Sequence, residues 1–218
     1  MIMGILAAIT DLLFPPKCMF CRKILRGGDG AACRACEAEL TGHDDVRTGT
    51  YFSRCVIPMA YEGKVRDAII RFKFQDQPGY ATEFGRILAK CIQNEFAGQY
   101  DLITWIPVSG QRLKKRGYDQ AMLLAMAAAL ELGDVAVETL RKTADNPAQS
   151  SLTDAAARKT NVQGAYTVPE PELIEGKRVL LIDDIITTGS TLDEASRTLL
   201  ASGASEVLAA ALAQPAKE

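Results

Sequence analysis

Residues 178–191 read RVLLIDDIITTGST, and this stretch decides the fold. Val179, Leu180, Leu181 and Ile182 form a short, unbroken apolar run, the pattern of a strand buried on both faces of a parallel sheet. Asp183 and Asp184 stand where such a strand would leave the core. After Ile185 and Ile186, the side chains of Thr187, Thr188, Gly189, Ser190 and Thr191 are all hydroxyl-bearing or a single hydrogen. A helix pattern starts at Thr191. The first amides of a helix are unpaired and its dipole favours an anion, so this loop suits one phosphate. Gly189 lets the backbone come close. Neither the lysine of a P-loop nor a G-x-G-x-x-G string is present in the stretch. Two carboxylates just before such a loop can accept hydrogen bonds from a vicinal diol. The stretch therefore suits a ribose 5-phosphate, with Asp183 and Asp184 toward the 2- and 3-hydroxyls. The same acids suit Mg2+, directly or through water, if a pyrophosphate is attached. The bland alternative is that they cap the next helix and bind nothing.

Working outward, strands and helices alternate. Strand patterns cover 55–61, 101–108, 135–140, 179–182 and 207–212. Val65, Ala68, Ile69 and Phe72 make one apolar helix stripe; Phe84, Ile87, Leu88, Cys91 and Ile92 make another. Further helices are expected over 118–132 and 191–201, the latter capped by Gly203. Such alternation predicts an α/β fold with a parallel sheet flanked by helices, binding its ligand at the carboxyl ends of the strands. A loop is expected to begin at Ser109. The segment 141–164 is polar and lacks periodicity, which marks a functional or mobile connection.

The N-terminal part has another character. Cys18, Cys21, Cys33 and Cys36 form two C-x2-C knuckles, and two such pairs complete a tetrahedral thiolate shell for structural Zn2+. Gly27-Gly28-Asp29-Gly30 supplies a turn between them. Residues 1–42 are expected to form a helix and zinc-ribbon module, and 51–218 the α/β domain. His43, in the polar join, reads as solvated. The apolar start of the chain lacks a basic flank, is interrupted by Asp11 and is too short to span a bilayer. No membrane span and a cytoplasmic, reducing location follow as expectations. With 25 basic and 27 acidic residues in 218, the formal net charge of −2 argues against a broad polyanion-binding face.

VLLIDDIITTGST resembles the phosphoribosyl pyrophosphate (PRPP) motif of type I phosphoribosyltransferases. The four-cysteine module, RFKF at 71–74, Ile106-Pro107-Val108 followed by RLKKRGYDQA, and the later residues Gln149, Leu152, Arg158, Asn161, Val162, Gly164, Ala165 and Tyr166 resemble the ComF family in that order. The resemblance covers nearly the whole chain. It implies a type I phosphoribosyltransferase-like sheet and a link to DNA uptake in natural transformation. It also implies that Val108, Ser109 and Gly110 form a pyrophosphate-contacting loop. Arg112, Lys114, Lys115 and Arg116 would add positive charge beside that loop. The 141–164 segment would be the hood over the site, with Arg158 as its pyrophosphate contact. Asp183, Asp184 and Arg158 would be the catalytic group. Two departures stand out: Asp119 where the family commonly has asparagine, and Asn146 where threonine is usual.

Two functions compete. One is phosphoribosyl transfer from PRPP with Mg2+, by positioning and charge stabilisation, to an acceptor that no motif identifies. The other is a non-catalytic competence factor that binds single-stranded DNA through Arg112, Lys114, Lys115 and Arg116 with Tyr118, and through Arg66, Arg71 and Lys73 with Phe72 and Phe74, keeping a relic nucleotide pocket. Competence proteins would be its partners.

Overall fold

The computed structural model describes residues 15–25, 30–40, 45–143 and 164–216. A parallel sheet forms its centre. Strand β7 (Arg178–Ile185) lies between β4 (Leu102–Trp105) and β8 (Glu206–Gln214). On its far side β8 pairs in parallel with β2 (Cys55–Ile57) and β3 (Met59–Ala60). Pro58, which has no N–H to donate, separates these two short strands where the sequence suggests one. A strand within the polar join, β1 (Asp45–Arg47), adds antiparallel to β2. Beyond β4, the expected strand at 135–140 reduces to a single parallel bridge between Ala136 and Ile103.

Register on β7 sorts its residues into two cores. Leu180 and Ile182 face a layer built from helices α2 (Gly63–Phe74), α3 (Tyr80–Phe96) and α5 (Gln120–Leu132). Val179 and Leu181 face α6 (Ser190–Ala201) together with Leu140, Ala165, Tyr166 and Ile174. The long, continuously apolar β8 runs between both, with Leu208 and Ala210 on one side and Val207, Ala209 and Ala211 on the other. Helices α3 and α5 approach closely at Gly85, where a Cβ would stand 2.4 Å from the Ala127 methyl. The predicted stripe of α2 is confirmed, since Ala68, Ile69 and Phe72 are all buried.

The knuckle region packs against the same helices. Short helix α1 (Arg34–Leu40) carries Cys36. Phe20 meets Phe84 edge to face at 6.1 Å between ring centres, and Phe84 also meets Phe72 at 5.6 Å. Arg71 donates from one guanidinium nitrogen to the carbonyls of Met19 (2.7 Å) and Phe20 (3.0 Å). The expected N-terminal helix, the Gly27–Asp29 turn and His43 lie outside the described residues. No described helix is long and apolar enough to cross a membrane.

Candidate functional site

The carboxyl ends of β7 and β4 lie side by side, with Trp105 paired to Ile182. From them come the two segments the sequence singles out. After β4, Val108 leads into Ser109 and then α4 (Gly110–Arg116), so the basic run is helical and not the loop its sequence suggests. After β7, the acids give way to Thr187–Thr191. Gly189 takes φ 83°, a left-handed conformation that favours glycine, and Ser190 starts α6. The Thr188 and Ser190 hydroxyls are 2.9 Å apart. This is a strand–turn–helix junction with the first amides of α6 at its mouth.

The acids, adjacent in sequence, part company in space. Asp184 continues the face of Ile182 and meets Lys73 of α2 in an ion pair of 2.9 Å, both side chains 15% exposed. Asp183 continues the other face, and its charge is felt by the buried Tyr166 hydroxyl. Its Oδ1 accepts the Asp184 N–H at 2.8 Å. Burial and the charge of Asp184 push the Asp183 carboxyl well above the usual carboxylate range, with Lys73 opposing. The Tyr166 hydroxyl is buried without a hydrogen-bond partner among the described residues, and burial raises its pKa too.

The basic run divides. Lys114 and Lys115 are exposed, whereas Arg112 and Arg116 are half-buried. Arg116 lies 4.8 Å over the Phe74 ring, donates to Gln120 at 2.9 Å and feels the charge of Asp184. Asp119 is the departure from the family pattern, and its surroundings explain it. One oxygen caps α5 by accepting from Met122 N–H (3.1 Å); the other accepts from Val108 N–H (2.9 Å). An asparagine would put an NH2 in place of one of these oxygens, whereas the carboxylate presents an oxygen to each amide.

Several neighbours escaped sequence reading. In sequence Lys73 reads only as part of a basic–aromatic run, with no sign of its pairing to Asp184. Arg47 donates to the Thr187 carbonyl at 2.7 Å, from a segment read as a polar join. Asp193 in the first turn of α6 accepts from the amides of Thr50 (2.7 Å) and Tyr51 (3.0 Å), which brings that segment onto the start of α6. None of these contacts has a local sequence signal. Arg158 lies outside the described residues. The two ends of its segment are described: β5 (Arg141–Lys142) pairs antiparallel with β6 (Tyr166–Thr167), and Glu194 of α6 accepts from Gly164 N–H at 2.7 Å.

Away from this site, the sulfurs of Cys18, Cys21, Cys33 and Cys36 all lie within 4.8 Å of one another, and Cys21 and Cys33 are 3.7 Å apart. A zinc–sulfur bond of about 2.3 Å implies a tetrahedral edge of about 3.8 Å, so the four thiols fit a structural Zn2+.

Residues 74–218 match the phosphoribosyl transferase domain. The chain belongs to the phosphoribosyltransferase domain family. Residues 9–66 match the double zinc ribbon domain. Competence protein F of Haemophilus influenzae is 26% identical over 214 residues, covering 88% of this chain and 93% of that protein. Competence protein ComFC of Bacillus subtilis is 25% identical over 177 residues, covering 79% and 68%. DNA utilization protein YhgH of Escherichia coli is 32% identical over 111 residues, covering 49% and 46%. The two domains and the competence relatives make this phosphoribosyltransferase-family chain a ComF-like member. Among solved structures, glutamine PRPP amidotransferase from Bacillus subtilis is similar at 22% identity and a TM-score of 0.45, over 65% of this chain and 30% of that one. Adenine phosphoribosyltransferase from Thermoanaerobacter pseudethanolicus is similar at 18% and 0.39, over 65% and 83%.

Proposed function

We propose that this ComF-like protein binds PRPP or a related phosphoribosyl ligand together with Mg2+ and transfers the phosphoribosyl group. One observation carries the reading: Asp183 and Asp184 end β7 directly before the Thr187–Thr191 turn and the start of α6, beside the Val108–Gly110 turn at the end of β4. In this reading the acids accept from the ribose hydroxyls. The amides and hydroxyls of Thr187, Thr188, Gly189, Ser190 and Thr191 hold the 5-phosphate. Val108, Ser109 and Gly110, with Arg112 and Arg158, take the diphosphate and stabilise its charge as it leaves the anomeric carbon. Mg2+ would add charge neutralisation at the diphosphate.

Calorimetry and thermal melts with ribose 5-phosphate, and with PRPP and Mg2+, test this. A ligand at a hundred times its Kd stabilises by about 2.7 kcal/mol. Asp184→Asn should remove that gain. No gain in wild-type protein with an intact circular dichroism spectrum would sink the proposal.

A second reading is favoured by Lys114 and Lys115, which are exposed beside the site, and by the competence and DNA utilization names of the relatives. Single-stranded DNA would bind there and the protein would serve DNA uptake in the cytoplasm, with competence proteins as partners. Replacing both lysines by alanine should then lower the salt slope of DNA binding by roughly 1 to 2. DNA affinity indifferent to salt and to both lysines refutes it.

A further inference from the structure

We infer that Lys73 is a positioning residue of the acid pair: it fixes Asp184 for ligand hydroxyls and fills, with its own ammonium, the place beside that carboxylate that a divalent cation would otherwise take. The inference rests on the phosphoribosyl reading of the site for its ligand, though not for its cation.

Three observations carry it. The first is burial. Among the described ion pairs, Lys73–Asp184 alone has both side chains under a fifth exposed; Arg54–Glu95 and Lys64–Glu39 lie at 37% and 38% and at 50% and 60%. A pair so placed is poorly screened by salt and firmly oriented.

The second is anchoring. The last turn of α2 is held on both sides. Arg71 donates to the knuckle carbonyls of Met19 and Phe20, the Tyr118 hydroxyl donates to the Phe72 carbonyl, and Phe72 packs on Phe84 and Tyr118 at 5.6 and 6.0 Å. Arg116 covers Phe74. Lys73 sits inside this clamp, so its ammonium is delivered from a fixed backbone and does not merely drift toward an acid.

The third is the oxygen inventory. Lys73 takes Asp184 Oδ1, and the Asp184 amide takes Asp183 Oδ1. Among the described residues, one oxygen on each acid is left without a partner. A vicinal diol can donate to the free Asp184 oxygen and exchange a hydrogen bond with the free Asp183 oxygen, so the arrangement matches a ribose without any metal ion between acid and sugar. Two neighbouring carboxylates repel unless a proton or a cation intervenes. Here the ammonium of Lys73 sits on Asp184 and Asp183 is held toward its protonated form, so no divalent ion is required.

The test uses full-length, zinc-loaded protein, with Lys73→Met to keep side-chain length without charge and Lys73→Arg to restore charge. Mn2+ uptake without any phosphorylated ligand is followed by electron paramagnetic resonance, and ribose 5-phosphate binding by calorimetry without divalent ions. Wild type should take up no Mn2+ that Asp184→Asn abolishes. Lys73→Met should gain such a site, and Lys73→Met with Asp184→Asn should lose it again. Without metal, Lys73→Met should bind ribose 5-phosphate about tenfold more weakly, as expected for losing one charge-assisted contact that orders the acceptor, and Lys73→Arg should recover most of that affinity. Mn2+ uptake at Asp184 in wild type, or no gain in Lys73→Met, overturns the inference. Failure of every variant and of wild type to bind ribose 5-phosphate refutes the phosphoribosyl reading instead, and the Mn2+ arm still decides the role of Lys73.

Discussion

Asp183→Asn should make the protein more stable while removing ligand binding, and the size of the gain should depend on pH in a defined direction. The Asp183 carboxyl is pushed up to about 8, first by burial and then by the charge of Asp184, from an ordinary value of 3.8. The folded protein therefore binds this proton more tightly than the unfolded chain. Stability from this group is fully present below the lower value and is lost as pH rises toward the upper one. Asparagine has the shape of the protonated acid, keeps an oxygen for the Asp184 amide and never charges. The stability gap between variant and wild type should thus widen with pH. One pH unit is worth at most about 1.4 kcal/mol for one group, so from about pH 5.5 to about pH 7.5 the gap grows by no more than about 3 kcal/mol. For a chain of this length that is a Tm difference of up to about 10 °C. Scanning calorimetry of both proteins at the two pH values, with zinc present, measures it. Acid effects on the thiolates are common to both proteins and cancel in the comparison. A gap that stays constant, or an asparagine variant less stable than wild type at the higher pH, would refute the burial argument. A stabilised variant that no longer binds ribose 5-phosphate would show a site whose function costs stability.

Other outcomes follow from single contacts. Asp119→Asn should cost about 1–2 kcal/mol in urea unfolding, because one of the amides of Val108 and Met122 loses its acceptor; an unchanged midpoint would contradict that division of oxygens. Zinc analysis should find about one ion per chain, and chelation should lower Tm, because knuckle residues Met19 and Phe20 lie in the core beside Phe84. A chelated protein that melts unchanged would rule out a stabilising metal. Arg47→Ala should weaken ribose 5-phosphate binding by roughly threefold to tenfold by freeing the Thr187 carbonyl, with a small change in Tm; equal affinity would show that Arg47 does not order the anion seat.

The amino-acid order by itself determined the elements whose signals are local. The apolar run 179–182 reads as a doubly buried strand because its neighbours along the chain already say so, and the hydroxyl-rich turn after it reads as an anion seat for the same reason. The stripe of α2 and the spacing of the cysteines are also short-range patterns, and the structure bears out both. The basic run was legible in composition but not in direction. Only helix α4 puts Arg112 and Arg116 on one half-buried face, with Lys114 and Lys115 left in solvent.

What the tertiary structure alone decided is the company each acid keeps. Side chains of successive strand residues point to opposite faces, so the pair DD divides between two layers that are far apart in sequence. Lys73 reaches Asp184 across 111 positions, Arg47 reaches Thr187 across 140, and Gly164 reaches Glu194 across 30. Such contacts form only when the sheet brings β7, α2, β1 and β6 to one edge. No local propensity encodes them, because the chain entropy of closing those loops is offset by the whole core and not by the residues that meet.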